Sequence, residues 1–298
     1  MIAVMGATGR TGGGIVRRLL EAGEPVRALG RSQRRLFGLK IAGAEVLAGA
    51  ASDAAYLTDA FRRAESVFTL LPYDPTVPDY HAGQARMGEA ITEAIRAAEV
   101  RRVVFLSSVG ADLPSGTGFI ASLYAQEQRL RQLGAVDVLV LRCGSFFENF
   151  AASLDLIRTA GINGDTVAPD VRVPMIATRD IATVATGALL DPDWEGFTVR
   201  ELLGERDLSY AEATGIIGAR LGQPDLPYVQ FPDGELAAAL AAAGFAADSI
   251  RSQLELNRAL NDGTIVSREG RTTRNTTPTR FEDYALELAA DYALTGAR

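Results

Sequence analysis

The first sixteen residues combine a short apolar strand, a glycine-rich turn and the start of a helix. The apolar run Ile2–Val4 is typical of a buried parallel strand. Gly6, Gly9 and Gly12 follow at three-residue spacing, and apolar residues then recur at helical spacing until Gly23. Such a turn points free amide groups and the positive end of the helix dipole toward an anion. The pattern predicts that this βα unit binds the phosphates of a nucleotide.

Each of the three glycines has a separate physical task in such a turn. Gly6 permits the tight turn after the strand, and Gly9 leaves bare backbone where a pyrophosphate approaches. Gly12 allows the helix and the strand to pack closely. The three-residue spacing of the glycines is therefore what a phosphate-binding turn requires.

Strands and helices alternate through the rest of the first half. We predict further strands at 25–29, 44–48, 66–71, 102–106 and 136–141, and helices at 33–41, 53–61, 80–98 and 120–133. This alternation predicts an α/β fold with a doubly wound parallel sheet of the Rossmann type. In such a sheet the ligand lies beyond the carboxyl ends of the strands. We therefore expect the site in the segments 6–12, 30–35, 71–74, 107–109 and 143–149.

The pattern loosens past residue 150. We predict that Thr178 caps a helix with Asp180 in its first turn, and that Ser209 and Thr279 each open a capping box, with glutamate three residues later. The predicted organisation is a nucleotide-binding core over 1–150 and a smaller C-terminal α/β lobe on the substrate side over 151–298. The two are expected to pack as a single structural unit.

Composition limits the class of protein. Among 298 residues 47% are hydrophobic, which is enough for a large core, and the formal charge of −7 argues against nucleic acid as the main partner. No run approaches the ~20 apolar residues of a membrane span. Cys143 is the only cysteine, so an internal disulfide is excluded, and the chain opens on a strand rather than a leader peptide. These features predict a cytoplasmic protein whose partner is a small-molecule substrate, with a homodimer left open.

The residues after the second strand bear on the choice of dinucleotide. A protein that prefers NAD usually places Asp or Glu there to hold the ribose 2′-hydroxyl, whereas this chain has Gly30-Arg31. Arg34 and Arg35 follow within one helical turn. Guanidinium groups suit a 2′-phosphate, so we predict NADP(H), bound by Arg31 and Arg35. The alternative for Arg34 and Arg35 is that they are solvated helix residues.

Several motifs resemble those of the NmrA-like family of atypical short-chain dehydrogenase/reductases. They are Gly6-Ala-Thr-Gly9-Arg-Thr-Gly12, the arginine after strand two, Ser107-Ser108-Val-Gly110 and Phe146-Phe-Glu-Asn149. The resemblance covers most of the chain and is clearest over 1–190. It implies a Rossmann core that binds NADP(H), in a family of quinone and imine reductases and of redox sensors. It also implies a cofactor groove lined by Thr8, Gly9, Arg10, Thr11, Gly12, Arg31, Leu71, Pro72, Tyr73, Phe146 and Asn149.

The catalytic pattern of short-chain reductases is incomplete. Those enzymes use Ser, Tyr and Lys, the last two as Tyr-x-x-x-Lys on the helix after strand five. Here Ser107, Ser108 and Tyr124 occupy the expected segments, but the fourth residue after Tyr124 is Gln128, and the only lysine of the chain lies elsewhere. We assign Ser107 to the cofactor and Ser108 and Tyr124 to catalysis. Without a neighbouring cation Tyr124 could donate a hydrogen bond but would be a poor base.

An intact cofactor site with an incomplete proton relay favours an NADPH-dependent reductase of an electron-poor substrate: a quinone, an imine or an activated carbonyl. Such an acceptor needs little acid catalysis, so positioning could supply most of the acceleration. Tyr73, Phe119, Phe146 and Phe147 are the predicted apolar wall for it. The alternative for the two consecutive phenylalanines is that they belong to the core.

Two other functions stay open. A non-catalytic redox sensor that binds NADP(H) would explain the missing lysine, and an isomerase or dehydratase could use the scaffold for shape alone. A metal site is not predicted, since His81 is the only histidine; it is expected to be solvated or to start a helix. Glu148 and Asn149 either cap the next helix or contact the cofactor, and Asp180 is expected to serve a helix start.

Overall fold

A seven-stranded parallel sheet forms the centre of the structure, a computed structural model that describes residues 1–296. The last two residues of the predicted 151–298 lobe lie outside this range. Among the described residues, no helix is both long enough and apolar enough to cross a membrane.

The first half of the chain alternates strands and helices, as predicted. Its strands are β1 (Ile2–Val4), β2 (Val26–Gly30), β3 (Glu45–Ala48), β4 (Ser66–Thr69), β5 (Arg102–Ser108) and β6 (Asp137–Cys143). Its helices are α1 (Arg10–Glu21), α2 (Gln33–Ile41), α3 (Ala54–Phe61), α4 (Tyr80–Ala97) and α5 (Ile120–Arg131).

The second half has shorter strands. They are β7 (Ser145–Phe146), β8 (Asn163–Asp165), β9 (Arg172–Ile176), β10 (Phe197–Leu202), β11 (Asp207–Ser209) and β12 (Tyr228–Gln230). The helices are α6 (Leu154–Ala160), α7 (Thr178–Leu190), α8 (Tyr210–Arg220), α9 (Asp233–Ala242), α10 (Ala247–Asn261) and α11 (Phe281–Gly296), and a 3-10 helix covers Phe147–Ser153.

The order of the central strands is β3-β2-β1-β4-β5-β6-β10, which confirms the predicted doubly wound Rossmann sheet. The chain moves outward from β1 to β3 and then returns to place β4 on the other side of β1. A ligand crevice opens at such a reversal, outside the carboxyl ends of the strands. The last strand of the sheet, β10, comes from the second half of the chain, so the sheet extends past the division at residue 150.

Alternating side chains of the central strands fill two cores. Ile2 and Val4 face α1, α2 and α7, while Ala3 and Met5 face α3, α4 and α5. Burial on both faces explains why the strands read as continuous apolar runs. On the first face α1 and α7 come so close that a Cβ on Gly14 would lie 2.9 Å from the Cβ of Ala182.

A separate apolar cluster holds the C-terminal lobe together. Phe147 and Phe150 of the 3-10 helix pack against Phe281 and Tyr284 of α11, with further apolar residues from α8 and β9. Val173 and Met175 of β9 and Leu208 of β11 belong to this cluster, and a second small sheet pairs β12 with β8. The lobe is therefore joined to the central sheet through β7 and β9 and through α7.

Carboxylates from distant segments cap the helix starts of the lobe. The backbone N–H of Thr178 donates to Glu148 at 3.0 Å and 3.1 Å, so Glu148 caps α7 and the predicted capping role of Thr178 is wrong. Asp180, in the first turn of α7, accepts from the N–H (3.0 Å) and hydroxyl (2.6 Å) of Thr279.

The two predicted capping boxes have different outcomes. The box of Ser209 and Glu212 is present and opens α8. The predicted box of Thr279 and Glu282 is wrong, because the Thr279 hydroxyl donates to Asp180 while Glu282 pairs with Arg206 at 2.6 Å. Long-range partners have replaced the local ones in that segment.

We expect Asp180→Ala to lower the free energy of unfolding by about 1–3 kcal/mol, because it leaves two donors of Thr279 unpaired next to a buried site. Urea denaturation measures the loss. The matched control is Thr183→Ala on the exposed face of the same helix, whose hydroxyl only bonds the Arg179 carbonyl. Equal losses in the two variants would contradict the anchoring role of Asp180.

Candidate functional site

The glycine turn after β1 is shaped by backbone contacts that exclude larger side chains. Gly6 adopts a φ of +65°, and its carbonyl accepts from the Gly9 N–H at 2.8 Å. A Cβ on Gly12 would lie 2.4 Å from the Gly6 carbonyl oxygen, well inside contact distance. The turn therefore requires glycine at both ends.

The start of α1 forms a cradle for an anion. Gly9 is the N-cap of α1 and supplies no side-chain cap, so the amides of the first turn keep no partner inside the helix. Gly9 and Arg10 are exposed, whereas Thr11 and Gly12 are buried. Bare backbone, free amides and the helix dipole together suit a pyrophosphate. The residues present thus fit the dinucleotide that the sequence predicts.

Two arginines stand beside this turn at the carboxyl end of β2. The Nη2 of Arg35 donates to the Thr8 carbonyl at 3.3 Å, and Arg31 follows the end of β2 with 70% of its side chain exposed. The Nη1 of Arg31 lies 3.5 Å from Oδ2 of Asp74, in the loop after β4. Guanidinium groups suit a 2′-phosphate, so Arg31 and Arg35 stay the predicted binding residues for that group of NADP(H).

The loop after β4 carries an aromatic cluster. Tyr73 is half exposed, and its ring contacts Phe119 (5.2 Å between centroids) and Tyr80 (6.0 Å). Phe119 and Tyr80 are 4.7 Å apart. Burial, with a smaller contribution from Asp74, raises the pKa of Tyr73 to about 12, so its hydroxyl stays protonated. Leu71 is buried, and the Pro72 carbonyl accepts from Gln84 at 2.9 Å, which fixes the start of the loop.

Ser107 is committed to a buried ion pair. Its hydroxyl donates to Oε1 of Glu127 at 2.6 Å, and Glu127 also accepts two hydrogen bonds from Arg142, at 3.1 Å and 2.6 Å. The Glu127 side chain has no exposed surface, and Ser107 is 3% exposed. The Ser107 hydroxyl therefore faces the protein rather than a ligand.

Sequence reasoning missed Glu127 and Arg142. The signal was available for Glu127, because it falls on the same helical face of α5 as the apolar Ile120, Leu123 and Leu130. A carboxylate on that face must find a buried partner. No local pattern identifies Arg142 as that partner.

The two predicted catalytic residues have unequal surroundings. The Ser108 hydroxyl donates toward the backbone carbonyls of Val109 (3.0 Å) and Cys143 (3.5 Å). Tyr124 lies partly buried on α5, and its hydroxyl finds no hydrogen-bond partner within residues 1–296. The structure thus leaves Tyr124 free and ties Ser108 to the backbone.

The segment after β6 divides its residues between the site and the core. Phe146 is partly buried and packs against the first core, while Asn149 is exposed. Phe147 is 1% exposed among Phe281 and Tyr284, which leaves it no surface for a substrate. The prediction that places Phe147 in the substrate wall is therefore corrected to a core position.

Helix α10 covers the site from the lobe side. A Cβ on Gly118 would lie 1.9 Å from the Ser252 carbonyl oxygen, and the Tyr80 N–H donates to Asp248 at 2.9 Å. His81 starts α4 as expected but is partly buried rather than solvated: its Nδ1 and Nε2 bond the hydroxyls of Ser122 (2.8 Å) and Ser252 (3.1 Å). These contacts join α4, α5 and α10 next to the aromatic cluster.

Comparison with known proteins gives a consistent picture. The NmrA-like family matches residues 1–285. The chain is 33% identical, over 75% of each chain, to a (4-alkanoyl-5-oxo-2,5-dihydrofuran-3-yl)methyl phosphate reductase of Streptomyces griseus. It is 30% identical, again over 75% of each, to an NAD(P)H azoreductase of Xenophilus azovorans.

Solved structures share the fold over nearly the whole chain. A quinone oxidoreductase of Escherichia coli in complex with NADPH has a TM-score of 0.78 and 22% identity, and the match covers 99% of both chains. The triphenylmethane reductase of Citrobacter with NADP(H) has a TM-score of 0.76 and 18% identity over 97% of this chain and 100% of that one. At these identities the likeness bears on the fold.

We expect Gly12→Ala to weaken NADPH binding at least tenfold, because the new methyl group collides with the Gly6 carbonyl and forces the cradle apart. Calorimetric titration with NADPH measures this. Gly187→Ala is the control, since a Cβ there meets nothing within 4 Å and α7 should gain about 1 kcal/mol. Unchanged affinity in Gly12→Ala would contradict the assignment of the cradle.

We expect Arg31→Asp to weaken NADPH binding at least tenfold and to leave NADH binding unchanged or improved, because a carboxylate repels the 2′-phosphate. Titration with both nucleotides measures the ratio. Arg101→Asp, at the opposite edge of the sheet, makes the same charge change as a control. If the ratio of the two affinities does not move, Arg31 does not bind the 2′-phosphate.

Proposed function

The chain belongs to the NmrA-like family, and from that premise we propose that it is an oxidoreductase that uses NADPH to reduce a small, electron-poor organic acceptor. The observation that carries the proposal is the cradle at the start of α1 with two arginines beside it. Bound there, NADPH would supply a hydride. The two relatives at 30% identity or more, both named as reductases, support the same reaction class.

The residues of this chain would bind and orient the reactants. The first-turn amides of α1 would hold the pyrophosphate, and Arg31 and Arg35 the 2′-phosphate. The cluster of Tyr73, Tyr80 and Phe119 would form an apolar wall that excludes water from the reacting groups. Positioning an acceptor against the cofactor would then supply most of the acceleration.

A conjugated double bond is the feature that we propose for the substrate. One relative is named for a dihydrofuranone and the other for azo compounds. Both kinds of compound contain an electron-poor conjugated double bond. A hydride adds to such a bond without strong acid catalysis at the outset. This suits a site in which Ser107 is tied to Glu127 and Tyr124 has no adjacent lysine.

The cysteine content and the net charge bear on the cellular location of the protein and on its partner. We propose a cytoplasmic enzyme whose partner is a small molecule, because the chain has one buried cysteine and a net charge of −7. Nucleic acid is not expected at a surface of this charge. A homodimer stays open.

Mixing the purified protein with NADPH and a panel of quinones, azo dyes, imines and unsaturated lactones tests the proposal. We expect NADPH to be oxidised faster than the background rate with at least one conjugated acceptor. The loss of NADPH absorbance measures this rate. The Gly12→Ala variant serves as the control for contaminating reductases. Tight NADPH binding with no turnover on any acceptor would contradict the proposal and favour the redox-sensor alternative.

A further inference from the structure

An ion pair joins two segments on either side of the predicted cofactor groove. The Nη1 of Arg31, after β2, lies 3.5 Å from Oδ2 of Asp74, in the loop after β4. The strand order places β1 between β2 and β4, and the glycine turn follows β1. Because the carboxyl ends of parallel strands meet at one edge of the sheet, the ion pair and the glycine turn share that edge.

Asp74 is held in place by its own loop. Its Oδ1 accepts from the N–H (3.1 Å) and the hydroxyl (2.7 Å) of Thr76, which leaves Oδ2 for Arg31. The next residue, Pro75, is fixed as well, since its carbonyl accepts from the Ala246 N–H at 2.9 Å. The position of the carboxylate therefore does not depend on Arg31.

Asp74 is negatively charged at neutral pH. The hydrogen bonds from Thr76, with a smaller contribution from Arg31, hold the pKa of the Asp74 carboxyl below its ordinary value. The side chain is 36% exposed, and its Oδ2 is directed at the guanidinium group. The carboxylate therefore attracts Arg31 in the same way as a phosphate would.

Arg31 is the partner that can turn away. Its side chain is 70% exposed, and within residues 1–296 Asp74 is the carboxylate that pairs with it. An exposed ion pair of this kind is weak, so another anion can replace Asp74. Arg35 is different, because its Nη2 donates to the Thr8 carbonyl at 3.3 Å, and no ion pair holds it among the described residues.

We propose that Asp74 competes with the 2′-phosphate of NADPH for Arg31 and thereby limits how strongly the protein prefers NADPH to NADH. The proposal rests on the cofactor site proposed above and adds a residue that determines its selectivity. NADH has a hydroxyl group in place of the phosphate, so it can bind while the ion pair stays intact. NADPH can use Arg31 only after the guanidinium group has left Asp74.

The same argument separates the two arginines. A 2′-phosphate that binds Arg31 must displace a carboxylate, whereas one that binds Arg35 displaces no acid. The effect of Asp74 on the affinity for NADPH should therefore depend on Arg31 and be independent of Arg35. It should also depend on salt, since both members of the ion pair are partly exposed.

The variant Asp74→Asn tests the competition. Asparagine keeps a side-chain oxygen that can accept from Thr76 and removes the charge, so the loop should keep its conformation. Calorimetric titration of the purified, nucleotide-free protein with NADPH and with NADH gives both affinities. Asp59→Asn is the matched control, since Asp59 pairs with Arg62 at the end of α3 that leads to the start of β4, at the opposite edge of the sheet.

We expect Asp74→Asn to raise the affinity for NADPH about threefold and to leave that for NADH unchanged, because only NADPH must break the ion pair. In about 1 M NaCl the gain should disappear, since salt screens exposed charges. Asp59→Asn should change neither affinity. An equal gain for both nucleotides, a loss of NADH affinity, or no gain at all would overturn the competition while leaving the cofactor site in place.

A double-mutant cycle tests whether Asp74 acts through Arg31. In an Arg31→Ala background Asp74→Asn should give no gain in NADPH affinity, whereas in an Arg35→Ala background the gain of about threefold should persist. A gain that persists without Arg31 would show that the carboxylate acts on the cofactor directly, and would overturn the proposal. If Arg31→Ala alone leaves the affinity for NADPH unchanged, the assignment of Arg31 to the 2′-phosphate fails as well.

Discussion

The close approach of α1 to the turn after β1 is the constraint on which the rest of the site depends. Gly12 lies so near the Gly6 carbonyl that no other residue fits without movement of the backbone. This contact sets the direction of α1 and presents its first amides at the carboxyl edge of the sheet. The cofactor site that we propose for the arginines after β2 and the aromatic residues after β4 depends on that fixed helix start.

Three carboxylates determine how distant elements of the fold pack against one another. Glu127 pairs with Arg142 inside the core, Glu148 caps α7, and Asp180 holds Thr279. A buried carboxylate is costly unless it is paired, so each of these groups specifies one arrangement of the elements that it joins. The pair of Glu127 and Arg142 also fixes the Ser107 hydroxyl, which faces the protein rather than a ligand.

Much of the fold could be predicted because local pattern and global arrangement agree. The strand and helix alternation, the glycine turn and the Ser209 capping box all follow from short-range periodicity or from fixed spacing. Most of the predicted site residues lie in the segments that follow the strands, as expected for a parallel sheet, whereas Tyr124 lies on α5. Phe147 was misplaced because an apolar residue beside a site and one inside a core have the same sequence signal.

By itself the sequence determined the βα phosphate cradle, the alternation of strands and helices in the first half and the arginines after β2, since each depends on neighbours within a few residues. Only the tertiary structure decided the order of the strands, that β10 completes the sheet, and that Glu127 meets Arg142. Those partners come from separate elements, and their contact depends on how the elements pack. Spacing along the chain encodes local conformation, whereas the choice of a distant partner depends on burial that exists only in the folded protein.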